Sequence, residues 1–519
     1  MKKILYILIS FIAFSTASCS KSMLEFEPTD SGSGEELLSE ASTAISIMNG
    51  IYRSMWTAGW STTGNTHQCF GIAAYNLALD CMADDLIMQS QGNGWFWYDH
   101  CYNMKSNYTS SIFRSYDVWY ANYKWIANTN YIIDAESTMG GSEADVAYVV
   151  GQAYAVRALC YLNLATWFAR APYNPMTETS RWDEACVPVY TTGTTIETGG
   201  GPRESLKTVY GRIDEDIDTA IGLLEKGLHS TLANDNKSHV NLYVALGIKS
   251  RACLVEGDWE GAYNAAMRVI NEGGYAVGTE SDLMSGMNAL DKQNVMWGAG
   301  IQTADQSGVY AGFFTHMDNQ QGAYAEAAPK LINSQLYNRI SATDIRRNWW
   351  DPNDKESPYI GKKFSFSNLA SYLGDYLYMR VEEMYFTAAE AALRRDNAPE
   401  ARRLMNLVMA NRDPQYNAEN YDGTMLGSTT TTWTGSLLEN ILTQRRIELW
   451  GEYGRLFDVR RLGQGIDRRS EDGFSEECLS TMSRRGVDLT RPDTYDWVMT
   501  IPQDEIDANP NINEEDQNP

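Results

Sequence analysis

Apolar residues recur at helical rather than strand spacing over most of this chain. Between Ser142 and Arg170, the residues Tyr154, Ala158, Tyr161, Ala165 and Phe168 follow at intervals of 4, 3, 4 and 3, one face of an α-helix. Ser142 offers an N-cap, and Ala171-Pro172 stops the helix because the residue before a proline avoids the α region. Upstream, Ile112–Glu136 aligns Trp119, Tyr123, Ile126, Asn130 and Ile133, and Gly140-Gly141 turns the chain between the two stretches. The pattern predicts an antiparallel helix pair. It recurs in Val240–Val255, followed by Gly257-Asp258 and a stripe of Trp259, Ala262, Tyr263, Ala266 and Ile270. A third pair places Val381, Met384, Tyr385, Ala388 and Ala392 on one helix and Ala401, Leu404, Met405 and Val408 on the next, with Asn397–Pro399 as turn and helix start.

Pairs built on Ala, Tyr and Leu resemble tetratricopeptide units, in which small residues let helices approach closely, although the spacing is too irregular for a regular array. Roughly 172–202 and 275–375 are richer in Gly, Thr, Ser and aromatics and read as long loops with a few short strands. The fold class is therefore mostly α, a helical scaffold carrying loop-rich insertions.

Charge narrows the partners. With 42 basic and 67 acidic side chains the formal net charge is −25, which disfavours nucleic acid. The five histidines (His67, His100, His229, His239, His316) are scattered, so a His-rich metal site is not expected. Trp and Tyr are plentiful, at 15 and 31 residues, and these are side chains with a flat apolar face and a polar edge.

Lys2-Lys3, the apolar stretch Ile4–Phe14 and the small residues Thr16-Ala17-Ser18 read as a secretory signal, since eleven apolar residues are too few to span a bilayer. Cys19 follows directly and resembles the lipid-accepting cysteine of a bacterial lipobox. The expectation is a signal peptide over 1–18, a lipidated flexible tether over 19–36 containing TDSGSGEE, and a single globular unit over 37–519. Seven cysteines then remain, with no C-x-x-C. Cys160 and Cys253 lie in apolar helical contexts and are expected in the core; a bridge among Cys69, Cys81 and Cys101 is possible in an exported protein.

Enzymatic motifs are sparse. Asp84-Asp85 and Glu382-Glu383 are adjacent carboxylates, but neighbours on a helix diverge by about 100° and make poor acid/base couples. No G-x-S-x-G, H-E-x-x-H or P-loop is present. Asp351-Pro-Asn-Asp354 is a weak calcium-loop candidate. The stretch RRIELWGEYGRLFDVRRLG, Arg445–Gly463, carries Arg445/Glu448, Glu452/Arg455 and Asp458/Arg461 three residues apart and reads as a structural helix with a lattice of ion pairs.

That stretch also resembles the signature of the SusD/RagB family, R-R-x-E-L-x-x-E-x-x-R-x-x-D-x-x-R. Thr500-Ile-Pro-Gln-Asp-Glu-Ile-Asp-Ala-Asn-Pro510 is similar to the family's PIPQxEIxxNP segment, and Tyr378–Met384 leading to Ala389-Glu390-Ala391 is similar to its xRxAExxLxxAEA helix. The resemblance implies a SusD-like scaffold of about four tetratricopeptide-like pairs, with an N-terminal part over 37–232 and a C-terminal part over 233–519. It implies a surface-exposed outer-membrane lipoprotein that captures a nutrient, usually a glycan, for a SusC-like TonB-dependent transporter. No cofactor and no bond chemistry are implied.

A sugar offers C–H patches for aromatic faces and hydroxyls for polar partners. Gln91-Gly-Asn-Gly-Trp95-Phe-Trp97-Tyr98 sets glycines before four consecutive aromatics, which cannot all enter one core face. Asn93, Trp95, Trp97 and Tyr98 are thus candidate contacts, and the resemblance also implies an aromatic contact from this N-terminal loop. Tyr310, Phe314 and Tyr324, near Phe313, Gln320 and Gln321, occupy the place of the family's second aromatic contribution. Trp349, Trp350 and Trp433 are lesser candidates, whereas Trp119, Tyr161 and Trp259 lie at helical spacing and are expected in the core. Peptide capture by the same arrangement, a surface glycoside hydrolase and a protein-binding scaffold are the competing readings.

Overall fold

The computed structural model describes residues 34–57, 65–103, 113–195, 197–233, 236–305, 309–492 and 494–519. The expected leader, Cys19 and nearly all of the tether lie outside the described residues.

The first longer helices are α1 (Ala41–Ser54), α2 (Ile72–Met82), α3 (Phe113–Asp134) and α4 (Glu143–Phe168). As expected, the Ser142 hydroxyl accepts from the Asp145 N–H at 3.1 Å, satisfying a donor that the first turn leaves open. Next come α5 (Leu206–Lys226), α6 (Leu242–Glu256) and α7 (Trp259–Glu272). Asn241 caps α6, Gly257 ends it at φ 77°, and Asp258 caps α7 by accepting from Gly261 N–H at 2.9 Å. The last group is α8 (Val381–Arg394), α9 (Ala398–Met409), α10 (Leu437–Glu448), α11 (Arg455–Leu462) and α12 (Glu476–Arg484).

Helices α3 to α9 pack each on the next, so the three expected pairs join into one curved stack. Their continuity depends on α5, which the periodicity reading passed over although Ser205 caps it and Val209, Ile213, Ile217, Ala220 and Leu224 line its buried face. α5 closes on α4 through Arg157, whose guanidinium forks onto both oxygens of Asp216 at 2.7 Å.

The expected loops carry short antiparallel ladders. Leu86–Ile87, Leu331–Ile332, Ile360–Gly361 and Trp350–Asp351 form a four-stranded sheet in that order. Val295–Ala299 pairs with Tyr376–Arg380, and Tyr173–Asn174 with Thr179–Ser180. The sheet fastens residues 331–361 of the 275–375 insertion to the N-terminal region near residue 86, which brings two sequence-distant loops together.

The core is continuous from Ala41 to Ile501. It contains Trp119 and Tyr161 as expected, and also Trp349 and Trp350, which are removed from the candidate contacts because both rings are buried. Trp259 is half-buried, with the Arg394 guanidinium 5.1 Å above its ring. Cys160 and Cys253 are buried, as expected.

The signature stretch departs most from expectation. It is two helices, α10 and α11, separated by a turn that needs Gly451 at φ 76° and Gly454 at φ 89°. Of the three expected pairs only Asp458/Arg461 forms, at 2.7 Å. Glu448 instead accepts from Arg346, Arg380 and Arg412, and Glu452 from Arg380 and Lys363. Arg446 and Arg455 reach Asp84 and Asp85. The charges are buried, so each finds an opposite charge on another segment rather than a solvated neighbour on its own helix.

Candidate functional site

The loop after Leu86–Ile87 sorts its four aromatics by backbone geometry. Gly92 (φ 51°) and Gly94 (φ 87°) adopt left-handed conformations, and Phe96 follows at φ 63°. A Cβ on Gly92 would sit 2.6 Å from the Ala327 carbonyl oxygen, so only glycine lets this loop lie against the segment carrying Tyr324. Phe96 turns inward onto Phe70 and His316, its N–H held by the Gln68 side chain at 2.5 Å. Trp97 also enters the core, 4% exposed. Trp95 is half-buried and Tyr98 is 39% exposed.

Trp95 meets the second aromatic group through His67. The His67 ring stacks on Trp95 with centroids 4.7 Å apart and planes 5° apart. Its edges face Tyr310 (6.0 Å, 89°) and Tyr324 (5.5 Å, 65°), and Trp95 and Tyr324 are 5.9 Å apart. The Tyr324 hydroxyl lies 2.6 Å from His67 Nδ1. Beneath, His316 Nε2 donates to the His67 carbonyl at 2.7 Å. Burial lowers the pKa of His67 from the ordinary 6.5, and that of His316 well below it, with Lys330 acting in the same direction. Both rings are therefore neutral near pH 7, which suits stacking on an uncharged ligand.

The shelf thus presents Trp95, Tyr310 (45% exposed) and Tyr324. Trp95 Nε1 is buried and has no hydrogen-bond partner among the described residues. Asn93, Gln320 and Gln321 are exposed on the same loops.

Four candidates sit elsewhere. Phe314 is 2% exposed and packs on Phe313, Phe366 and Tyr376, supporting the shelf from below. Trp97 and Tyr98 line a separate cleft of about 500 Å³ with Gln91, Asn103, Glu477 and Arg484. Their candidacy as partners of Trp95 is corrected by backbone direction: a turn of short helix at Trp97–His100 sends them to the other side of the loop. Trp433 is covered by Arg339 and Arg446, whose guanidinium carbons lie 4.4 and 5.4 Å from its ring centre. Sequence reasoning missed His67, a lone histidine in no periodic pattern, and Tyr372, which is 38% exposed, left-handed at φ 54° and packed edge-on to Phe366.

The adjacent carboxylates are not acid/base couples. Asp84 and Asp85 face Arg446 and Arg455; Glu382 faces Arg380 and Arg412; Glu383 faces Arg251 and Arg445. Asp351 is paired with Lys362 at 2.7 Å rather than arranged with Asp354 around an ion. Among the described residues no group of three or more His, Cys, Asp or Glu side chains could hold a metal ion, and no helix is long and apolar enough to cross a membrane.

Two family models match the chain: the SusD family over residues 310–519, and the SusD-like family described as starch-binding and associating with the outer membrane over residues 70–254. The chain belongs to the SusD/RagB family. Its fold is that of solved SusD-like structures. A SusD-like carbohydrate-binding protein from Bacteroides vulgatus superposes with TM-score 0.73 at 24% identity, over 92% of this chain and 98% of that one. A SusD superfamily protein from Bacteroides thetaiotaomicron gives 0.72 at 22% identity, over 92% and 100%. The surface glycan-binding protein A of Bacteroides thetaiotaomicron, solved with laminarihexaose, gives 0.64 at 17% identity, over 92% and 99%. No curated protein matches. At these identities the likeness carries the SusD scaffold; the aromatic shelf is argued from this chain's own residues.

Proposed function

We propose that this SusD/RagB protein captures a glycan at the cell surface and passes it to a SusC-like TonB-dependent transporter. It does no bond chemistry in this role and is held to the outer membrane by acyl chains on Cys19. The observation that carries the reading is the convergence of Trp95, Tyr310 and Tyr324 on His67. Such a shelf offers apolar ring surface to sugar C–H patches, and exposed amides to hydroxyls. Exclusion of Asp84, Asp85, Glu382 and Glu383 from catalysis by their arginine partners weighs against a hydrolase. The solved relative with bound laminarihexaose makes that oligosaccharide the first ligand to try.

The test is affinity electrophoresis of protein begun after Cys19 in gels holding plant, host and microbial polysaccharides, beside Trp95→Ala/Tyr324→Ala. Retardation by one polysaccharide that disappears in the variant supports capture at the shelf. Retardation that survives moves the site, and no retardation by any polysaccharide favours a peptide or small nutrient. Co-purification of the anchored protein with its transporter from solubilised outer membranes tests the delivery arm.

A further inference from the structure

Seven cysteines are described, all buried, and an exported protein meets an oxidising compartment. Of the cysteines among which the sequence leaves a bridge possible, Cys69 points its thiol to the Asp117 carboxylate. Cys101 is directed instead at the C-terminal part of the chain. The Sγ of Cys478, in the first turn of α12, lies 3.7 Å from the carbonyl oxygen of His100. That carbonyl is bonded to the nitrogen of Cys101, so the Cys478 sulfur is within one side chain's reach of Cys101 Cα. The two thiols are near neighbours whose ionisations influence each other.

The surroundings hold the two segments in register. His100 stacks on Phe474 with centroids 5.6 Å apart and planes 10° apart, and Arg485 Nε donates to Asn103 Oδ1 at 2.9 Å. Arg468 lies between them, donating to the carbonyls of Cys81, Ala83 and His100, with no carboxylate partner among the described residues. A guanidinium bonded to carbonyls and the Met482 thioether, all uncharged, leaves net positive charge beside Cys478, which also sits at a helix N-terminus. Cys101 foremost, then His100 and Arg468, lower the Cys478 thiol from its ordinary range, while Cys478 and burial raise Cys101.

We propose that Cys101 and Cys478 form a disulfide in the exported protein, tying the loop that carries Trp95 to α12. This rests on the export reading, not on glycan binding. The oxidant is a disulfide-bearing oxidoreductase of the cell envelope. The Cys478 thiolate attacks one sulfur of that disulfide, forming a mixed disulfide and releasing one carrier thiolate. Cys101 then loses its proton and attacks the Cys478 sulfur, closing the bridge and releasing the second carrier thiolate. Two electrons pass to the carrier, which leaves as a dithiol. Because both thiols are buried in the finished fold, exchange takes place before α12 docks.

The test counts thiols in two preparations. One is full-length protein exported with its own leader and purified from the cell envelope. The other is protein begun after Cys19, made in the cytosol and refolded in a glutathione redox buffer. Each is denatured without reductant, alkylated, digested and analysed by mass spectrometry. The expected result is alkylation at five of the seven described cysteines and a Cys101–Cys478 cross-linked peptide. The cross-link should vanish in Cys101→Ser and in Cys478→Ser and persist in Cys81→Ser. Seven alkylated cysteines in both preparations, or a bridge between other cysteines, would overturn the proposal. A bridge in the refolded protein with seven free thiols in the envelope protein would show that the pair can close and would still overturn the proposal for the exported protein.

Discussion

Tyr324 and His67, 257 residues apart in sequence, meet through a 2.6 Å contact between the tyrosine hydroxyl and imidazole Nδ1. The contact joins a loop of the C-terminal insertion to the N-terminal region and fixes the ring against which Trp95 stacks. The shape of the shelf is therefore a property of two loops together, and its parts separate experimentally.

Trp95 and Trp97 are two residues apart and should behave oppositely. Trp95→Ala removes half-buried stacking surface and should weaken glycan binding tenfold or more, about 1.4 kcal/mol, with little change in unfolding midpoint. Trp97→Ala empties a core position and should cost about 3–5 kcal/mol of stability. Isothermal titration beside urea denaturation reads both; equal loss of affinity in two well-folded variants would put Trp97 in the site.

Gly92→Ala tests loop placement. A methyl group there would sit 2.6 Å from Ala327 O and 2.7 Å from Ala328 Cβ, on a backbone at φ 51° that L residues rarely adopt. The loop should lift from the Tyr324 segment, lowering affinity several-fold through misplacement of Trp95. Tryptophan fluorescence should report the change, and unchanged affinity would count against a two-loop shelf.

Arg446 tests the buried charges. Arg446→Ala removes the partner at 3.1 and 2.5 Å, leaving two buried carboxylates, Asp84 and Asp85, to share Arg455 alone, and should cost about 3–5 kcal/mol. Arg403→Ala breaks an exposed pair with Glu400 and should cost less than about 1 kcal/mol. Similar midpoints for the two variants in urea would contradict the assignment.

His316 sets a pH dependence. Its pKa in the folded protein is depressed well below 6.5, mainly by burial, so below pH 6.5 the unfolded chain takes up a proton that the folded chain does not. Stability relative to His316→Gln should be greatest above pH 6.5. It should fall by about 1.4 kcal/mol per pH unit as pH drops below 6.5, until the folded pKa is reached. Parallel stability curves between pH 8 and 5 would show that His316 is not buried neutral.

Helix positions were legible because period and caps are local. Tyr154, Ala158 and Tyr161 face inward for the same reason that they are spaced as they are, and Ser142, Gly257 and Asn397 mark ends through bonds to their own neighbours. Even α5 was readable in the same terms. The motifs of Arg445–Gly463 and Thr500–Pro510 also pointed to the SusD/RagB family before any contact was known.

Which aromatic of Trp95–Tyr98 faces outward was decided by φ at Gly94 and Phe96, and a strand reading of alternation would have misplaced Trp97. The partners of the signature charges were equally out of sight, since Arg446 pairs with a carboxylate 361 residues away. A helix is built from hydrogen bonds four residues long, so sequence alone can specify it. A buried charge or a binding ring is completed by whatever the fold brings beside it, and that is set only when α1 to α12 and the short sheet have packed. For this protein the sequence determined scaffold and family, and the tertiary structure decided that Trp95, Tyr310 and Tyr324 share one surface with His67 while Trp97 and Phe314 do not.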